Sequence, residues 1–115
     1  MKNKKILVIA VILMAIVIGS AFAIDVKIGK YVAGDSRDDL DYDYWIQLRS
    51  DNTFVWVIPG GSASGTWRYD GSTIYLSVAT AYGEMAKGRG MTIEFIHIDG
   101  TGNVLYGDDD AWWLQ

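Results

Sequence analysis

The chain holds one histidine, His97, and no cysteine, which limits the chemistry open to it. A nucleophilic triad needs a base beside a Ser, Thr or Cys, with a third group orienting that base. Gly60-Gly61-Ser62-Ala63-Ser64-Gly65 has the small residues of a nucleophile turn but lacks the strand-to-helix setting such a turn requires. A zinc site would want further His or Cys ligands beside His97. His97 therefore reads as a structural strand residue. Glu94 with an aspartate is the remaining acid–base pair, and Glu94 alternates with an apolar face, which turns it toward solvent. The expectation is a protein that is not an enzyme and carries no cofactor.

Carboxylates offer the other chemistry. Asp39, Asp41 and Asp43, two residues apart inside an acidic run at 34–43, could chelate Ca²⁺, a hard cation that takes about six to eight oxygens. The run departs from the calcium-hand loop, because Tyr44 stands where that loop needs Gly and Ser50 where it needs a bidentate Glu. Asp108, Asp109 and Asp110 would add oxygens if the fold brought them near. The simpler reading is a solvated loop that keeps an edge strand from pairing with other chains.

A second candidate set surrounds the connection at 80–90. Lys87 and Arg89, flanked by glycines, could meet an anionic group, and Tyr82 or Met85 could cover a cavity mouth; the alternative is a mobile hairpin loop. Trp56 and Trp67 fall on inner faces of adjacent strands, where they fill a core or form a ligand platform. Trp112 and Trp113 are adjacent, so on a strand at least one lies outside the core.

The elements that must position these residues are short strands. Runs rich in β-branched and aromatic residues alternate with turn signals at Asp51-Asn52, Pro59-Gly60-Gly61, Asp70-Gly71 and Asp99-Gly100. Faces follow from the period of two: Tyr44, Ile46 and Leu48 oppose Trp45, Gln47 and Arg49, and Ile74, Leu76 and Val78 oppose Thr73, Tyr75 and Ser77. Near residue 96 the pattern breaks, since Ile96 and Ile98 are apolar on the polar side of Ile93 and Phe95, which points to a bulge or a strand covered on both faces. Strands are expected at 27–33, 43–50, 53–58, 64–69, 73–79, 91–98, 103–107 and 111–114. Hairpins between neighbours imply an all-β, antiparallel up-and-down meander of roughly eight strands, which protects its edges by curling into a small barrel; a flattened sandwich is the alternative.

Gly29-Lys30-Tyr31, Asp51-Asn52-Thr53-Phe54, Gly65-Thr66-Trp67 and the stretch Asp70-Gly71-Ser72-Thr73-Ile74-Tyr75-Leu76 carry a further indication. With Phe95-Ile96-His97-Ile98-Asp99-Gly100 and Val104-Leu105-Tyr106, they make residues 27–107 resemble small secreted microbial lipocalin-like domains of the calycin type. Asn52 stands where those domains usually have Gly. The resemblance implies a β-barrel or half-barrel that sometimes binds a small apolar molecule, and it transfers no catalytic residue.

Residues 1–23 read as an address. Lys2, Lys4 and Lys5 precede an uncharged apolar run at 6–18, followed by Ala21 and Ala23 in an A-x-A arrangement, the pattern of an export signal peptide cleaved after Ala23. The alternative is a retained membrane anchor, because no charge occurs between Ile6 and Ile24. Either reading places the domain at 24–115 outside the cytoplasm. That part carries 7 basic against 14 acidic side chains, which disfavours nucleic acid as a partner. All five tryptophans also fall there, and a cysteine-free domain must draw its stability from such large side chains. The expected role is an exported ligand-binding module for a small apolar molecule. The alternative is a cell-envelope structural or protein-interaction domain using its outer aromatic and acidic surface, with membrane contact only through an uncleaved N-terminal segment.

Overall fold

The computed structural model describes residues 24–115, so the expected leader at 1–23 lies outside the described residues. Eight strands follow in order: β1 Gly29–Ser36, β2 Asp39–Leu48, β3 Thr53–Ile58, β4 Gly61–Tyr69, β5 Thr73–Gly83, β6 Thr92–His97, β7 Val104–Gly107 and β8 Asp110–Leu114. Each pairs antiparallel with its neighbour, and β8 returns to β1 to close a barrel. The closing seam matches Tyr31 with Leu114, Val32 with Trp113 and Ala33 with Trp112. Closure removes the exposed edges that an open meander would leave.

Alternation puts one face of every strand inside. Ile46 and Leu48, Phe54 and Trp56, Ile74, Leu76 and Val78, and Phe95 are all buried in one cluster. At its centre Trp56 meets Phe95 edge to face at 5.5 Å and Trp112 at 5.7 Å, while Phe95 and Trp112 are 6.2 Å apart. Such aromatic pairs contribute about 0.5–1.5 kcal/mol each beyond their burial, which suits a small barrel without disulfides. The Trp112 indole donates to the Gly107 carbonyl at 2.9 Å, whereas Trp56 Nε1 has no hydrogen-bond partner in the structure. Trp113 faces outward, paired across the seam with Val32.

Two irregularities shape the wall. The β4–β5 register shifts between Ser64 and Gly65, leaving Ala79 unmatched on β5, so the inward series passes from Val78 to Ala81. A Cβ on Gly65 would collide with the Ser77 carbonyl, so only glycine fits there. The break expected near residue 96 takes a different form. β6 keeps its register against β5 and β7 without a bulge; His97 points inward, and Ile96 and Ile98 are half-buried on the outer side.

The two ends of the barrel are built differently. The lower end carries the β2–β3, β4–β5 and β6–β7 hairpins and the entering segment 24–28. Val26 packs against the core, Lys27 Nζ donates to Asn103 Oδ1 at 2.7 Å, and the Tyr31 hydroxyl donates to the Lys27 carbonyl. Burial pushes the Tyr31 phenol up to about 12, partly offset by that hydrogen bond, so it remains a neutral donor that ties the segment down. The upper end carries the other four hairpins.

Candidate functional site

The acidic run at 34–43, read from sequence as a loop, is mostly strand: β1 and β2 continue almost to a tight turn at Arg37 and Asp38. Within this hairpin the register jumps from Val32–Trp45 to Ala33–Asp41, leaving Tyr42, Asp43 and Tyr44 unmatched on β2. A bulge of this kind bends its strand and re-aims side chains. Beside it, at the upper end of the β8–β1 seam, a pocket of about 350 Å³ opens to solvent. Asp35, Asp39, Asp41 and Asp110 line it, with Gly34 and Tyr44 between them. Gly34 has no room for a side chain, because a Cβ would run into the Asp39 carbonyl and Leu40.

Asp110 reaches this pocket through the β7–β8 turn. Asp108 and Asp109 both adopt left-handed backbone, with φ of 52° and 64°, in a two-residue connection between paired Gly107 and Asp110. Successive positive φ values match the twist of a tight hairpin, and aspartate tolerates them better than most residues. Partial burial raises the Asp110 carboxyl above its ordinary range, and the charges of Asp108, Asp35, Asp109 and Asp41 push it the same way. The pocket is therefore a region of concentrated negative potential.

The metal candidates divide. Asp39 and Asp41 line the pocket; Asp43 does not, and its backbone N–H donates to Asp41 Oδ1 at 3.2 Å. Among the described residues no group of three or more carboxylates or imidazoles is arranged to hold a metal ion.

The ligand-binding candidates also separate. Trp56 lies at the barrel centre, and Trp67 is half-buried at the lower end, where its indole donates to the Arg49 carbonyl at 3.0 Å. Tyr82, Met85, Lys87 and Arg89 lie at the upper end. Tyr82 is 64 % exposed, Met85 packs against the core and Lys87 is exposed within a single 3₁₀ turn, Ala86–Gly88. Arg89 is bound back onto the chain, donating to the Ala81 carbonyl at 2.7 Å. Hydrogen bonds from Gly90 to Val78, Val78 to Met91 and Glu84 to Gly60 hold the rest of this connection against the wall.

His97 and Glu94 do not converge. Glu94 faces outward opposite Tyr75, whereas His97 is buried, its ring edge-on to Tyr69 at 5.7 Å and its Nε2 without a hydrogen-bond partner. Burial pushes the imidazole below the usual histidine range, and the nearby Asp99 charge partly counters this.

Sequence reasoning named the two acidic clusters separately and made their meeting conditional on the fold. The barrel was expected, but not which residues meet at its seam: the β1–β8 register depends on the curvature of the whole sheet, and no local signal encodes it. Tyr44 enters the sequence reading only as a departure from the calcium-hand loop and as a neighbour of Ile46 and Leu48, since its place in the pocket, with Gly34, depends on the β1–β2 bulge. In comparison with known proteins, the chain matches no family model, no curated protein and no solved structure.

Proposed function

We propose that this is an exported, non-enzymatic interaction module of the cell envelope that meets its partner through its outer surface, with the acidic upper end as the contact region. The observation that carries the reading is the filled centre: Trp56, Phe95 and Trp112 pack edge to face where a guest molecule would sit. An eight-stranded barrel either fills with side chains or holds one small ligand, so this packing weighs against capture of an apolar molecule. The open pocket is lined by carboxylates, which suits a cationic group on a partner protein rather than a lipid or sterol. The outward Glu94 and the inward, buried His97 support a non-enzymatic role. A lipocalin-like ancestry and export remain parts of the proposal, supported by the meander topology and the Lys-rich, apolar N-terminal sequence.

Native mass spectrometry of the protein taken from its own host tests this. The expected result is protein free of small apolar molecules, with a protein partner that cross-links to the β1–β2 hairpin and dissociates as salt is raised. A stoichiometric apolar ligand would overturn the reading.

A further inference from the structure

Two buried valines lie outside the core cluster. Val32, 1 % exposed, sits on the outer face between Trp45 of β2 and Trp113 of β8, and Val104, 4 % exposed, pairs with Trp113 from the other side. The two indoles thus cover the barrel wall from outside, but they are not equivalent. Trp113 is tied in place, its Nε1 donating to the Gly34 carbonyl at 2.8 Å. Trp45 Nε1 makes no hydrogen bond among the described residues, and the Lys30 ammonium lies over its ring at 4.3 Å.

Below Trp45 the flank is basic, on a domain that carries twice as many acidic as basic side chains. Lys30 and Gln47 are a cross-strand pair, and Arg49 continues the outward series of β2. No carboxylate lies among the outward residues of β1, β2, β3 and β8 from the level of Trp45 down to the strand ends. Ile28, 47 % exposed, adds an apolar side chain where the described chain begins its climb into β1. Five residues separate the apolar run at 6–18 from Ile24, a reach of about 20 Å in extended chain. An indole with a free N–H, flanking cations and an exposed aliphatic residue are the groups that settle at a lipid headgroup layer: the ring takes the interface, and the cations take phosphates.

We propose that the lower flank of β1 and β2, through Ile28, Lys30, Trp45 and Arg49, rests on an anionic lipid surface, with the acidic pocket turned away at the opposite end. Lys30 and Arg49 favour anionic over neutral headgroups, and lipid is favoured over a second copy of this chain because the apolar run at 6–18, where retained, holds this flank within reach of a bilayer.

The test uses the full-length chain in phosphatidylglycerol vesicles carrying brominated acyl chains, with tryptophan emission as the readout. The expected result is quenching that Trp45→Phe removes and Trp113→Phe leaves in place. Lys30→Glu and Arg49→Glu, both on exposed side chains, should each weaken quenching by about fivefold or more, while the melting temperature stays near wild type. Quenching that survives Trp45→Phe, or that is equal in phosphatidylcholine vesicles, would overturn the proposal. So would a concentration-dependent dimer abolished by Trp45→Phe with vesicle quenching unchanged, which would give the flank to a second copy. Loss of the pocket's partner leaves these readouts untouched, so failure of one reading is distinguishable from failure of the other.

Discussion

At the lower end of the barrel, Asp51, Asp70 and Asp99 each accept a hydrogen bond from the backbone N–H two residues on, at 3.1, 2.9 and 3.0 Å. At the upper end, Asp35, Asp39, Asp41 and Asp110 face a shared opening. The charged form is favoured at Asp70 and disfavoured at Asp110. Hydrogen bonds from the Thr73 and Ser72 backbone and the Tyr75 hydroxyl hold Asp70 well below the usual carboxylate range, whereas burial and neighbouring charges raise Asp110. Lower-end aspartates stabilise the turns that set strand register. Asp110 opposes folding weakly at the upper end, which is the behaviour of a group kept for what it meets outside the fold.

The largest expected effect comes from emptying the centre that both ends enclose. Phe95→Ala removes a ring packed against Trp56 and Trp112 and should cost about 3–5 kcal/mol in urea unfolding. A cost below about 1 kcal/mol would mean the interior is not packed as described. Next comes Asp70→Ala, which strips the β4–β5 turn of its acceptor for Ser72, Thr73 and Tyr75 and should lower the melting temperature by a smaller, measurable step. The folded-state pKa of Asp70 is depressed, so its contribution is present above the unfolded carboxylate value near 4 and is lost as pH falls through the folded value. The variant should therefore show a flatter loss of stability in acid than wild type. The smallest effect has the opposite sign. Asp110 has a raised pKa, so its ionisation lowers stability as pH rises from about 4 through the folded value. Asp110→Asn should then stabilise by a few tenths of a kcal/mol at neutral pH, since solvent screens most of the repulsion, and the gain should vanish in acid. Equal signs for Asp70 and Asp110 across the same titration would break the contrast between the two ends.

Much of the wall was legible because its signal is local. Ile46 and Leu48, and Ile74, Leu76 and Val78, alternate with outward residues, and their shared faces follow from period alone. Turn chemistry at Asp51, Asp70 and Asp99 was equally visible, since an aspartate bonds its own backbone two residues on wherever the chain turns. The acidic hairpin was misjudged in extent: aspartates are poor strand formers, and only pairing of β1 with β2 keeps 34–43 extended. The jump from Val78 to Ala81 was hidden for a related reason, because register is a property of two strands rather than one.

The amino-acid sequence by itself determined the number of strands, most of their inner faces and the need for a curled, cysteine-free β-domain held by aromatic packing. Tertiary structure alone decided in what register the first and last strands meet, because the seam depends on curvature accumulated over the whole sheet. That single seam places Asp110 beside Asp35 and Asp41, and Trp113 beside Val32, with Trp45 on the far side of that valine. The acidic pocket therefore exists only in the closed barrel, whereas the lower flank is set by the β1–β2 hairpin itself.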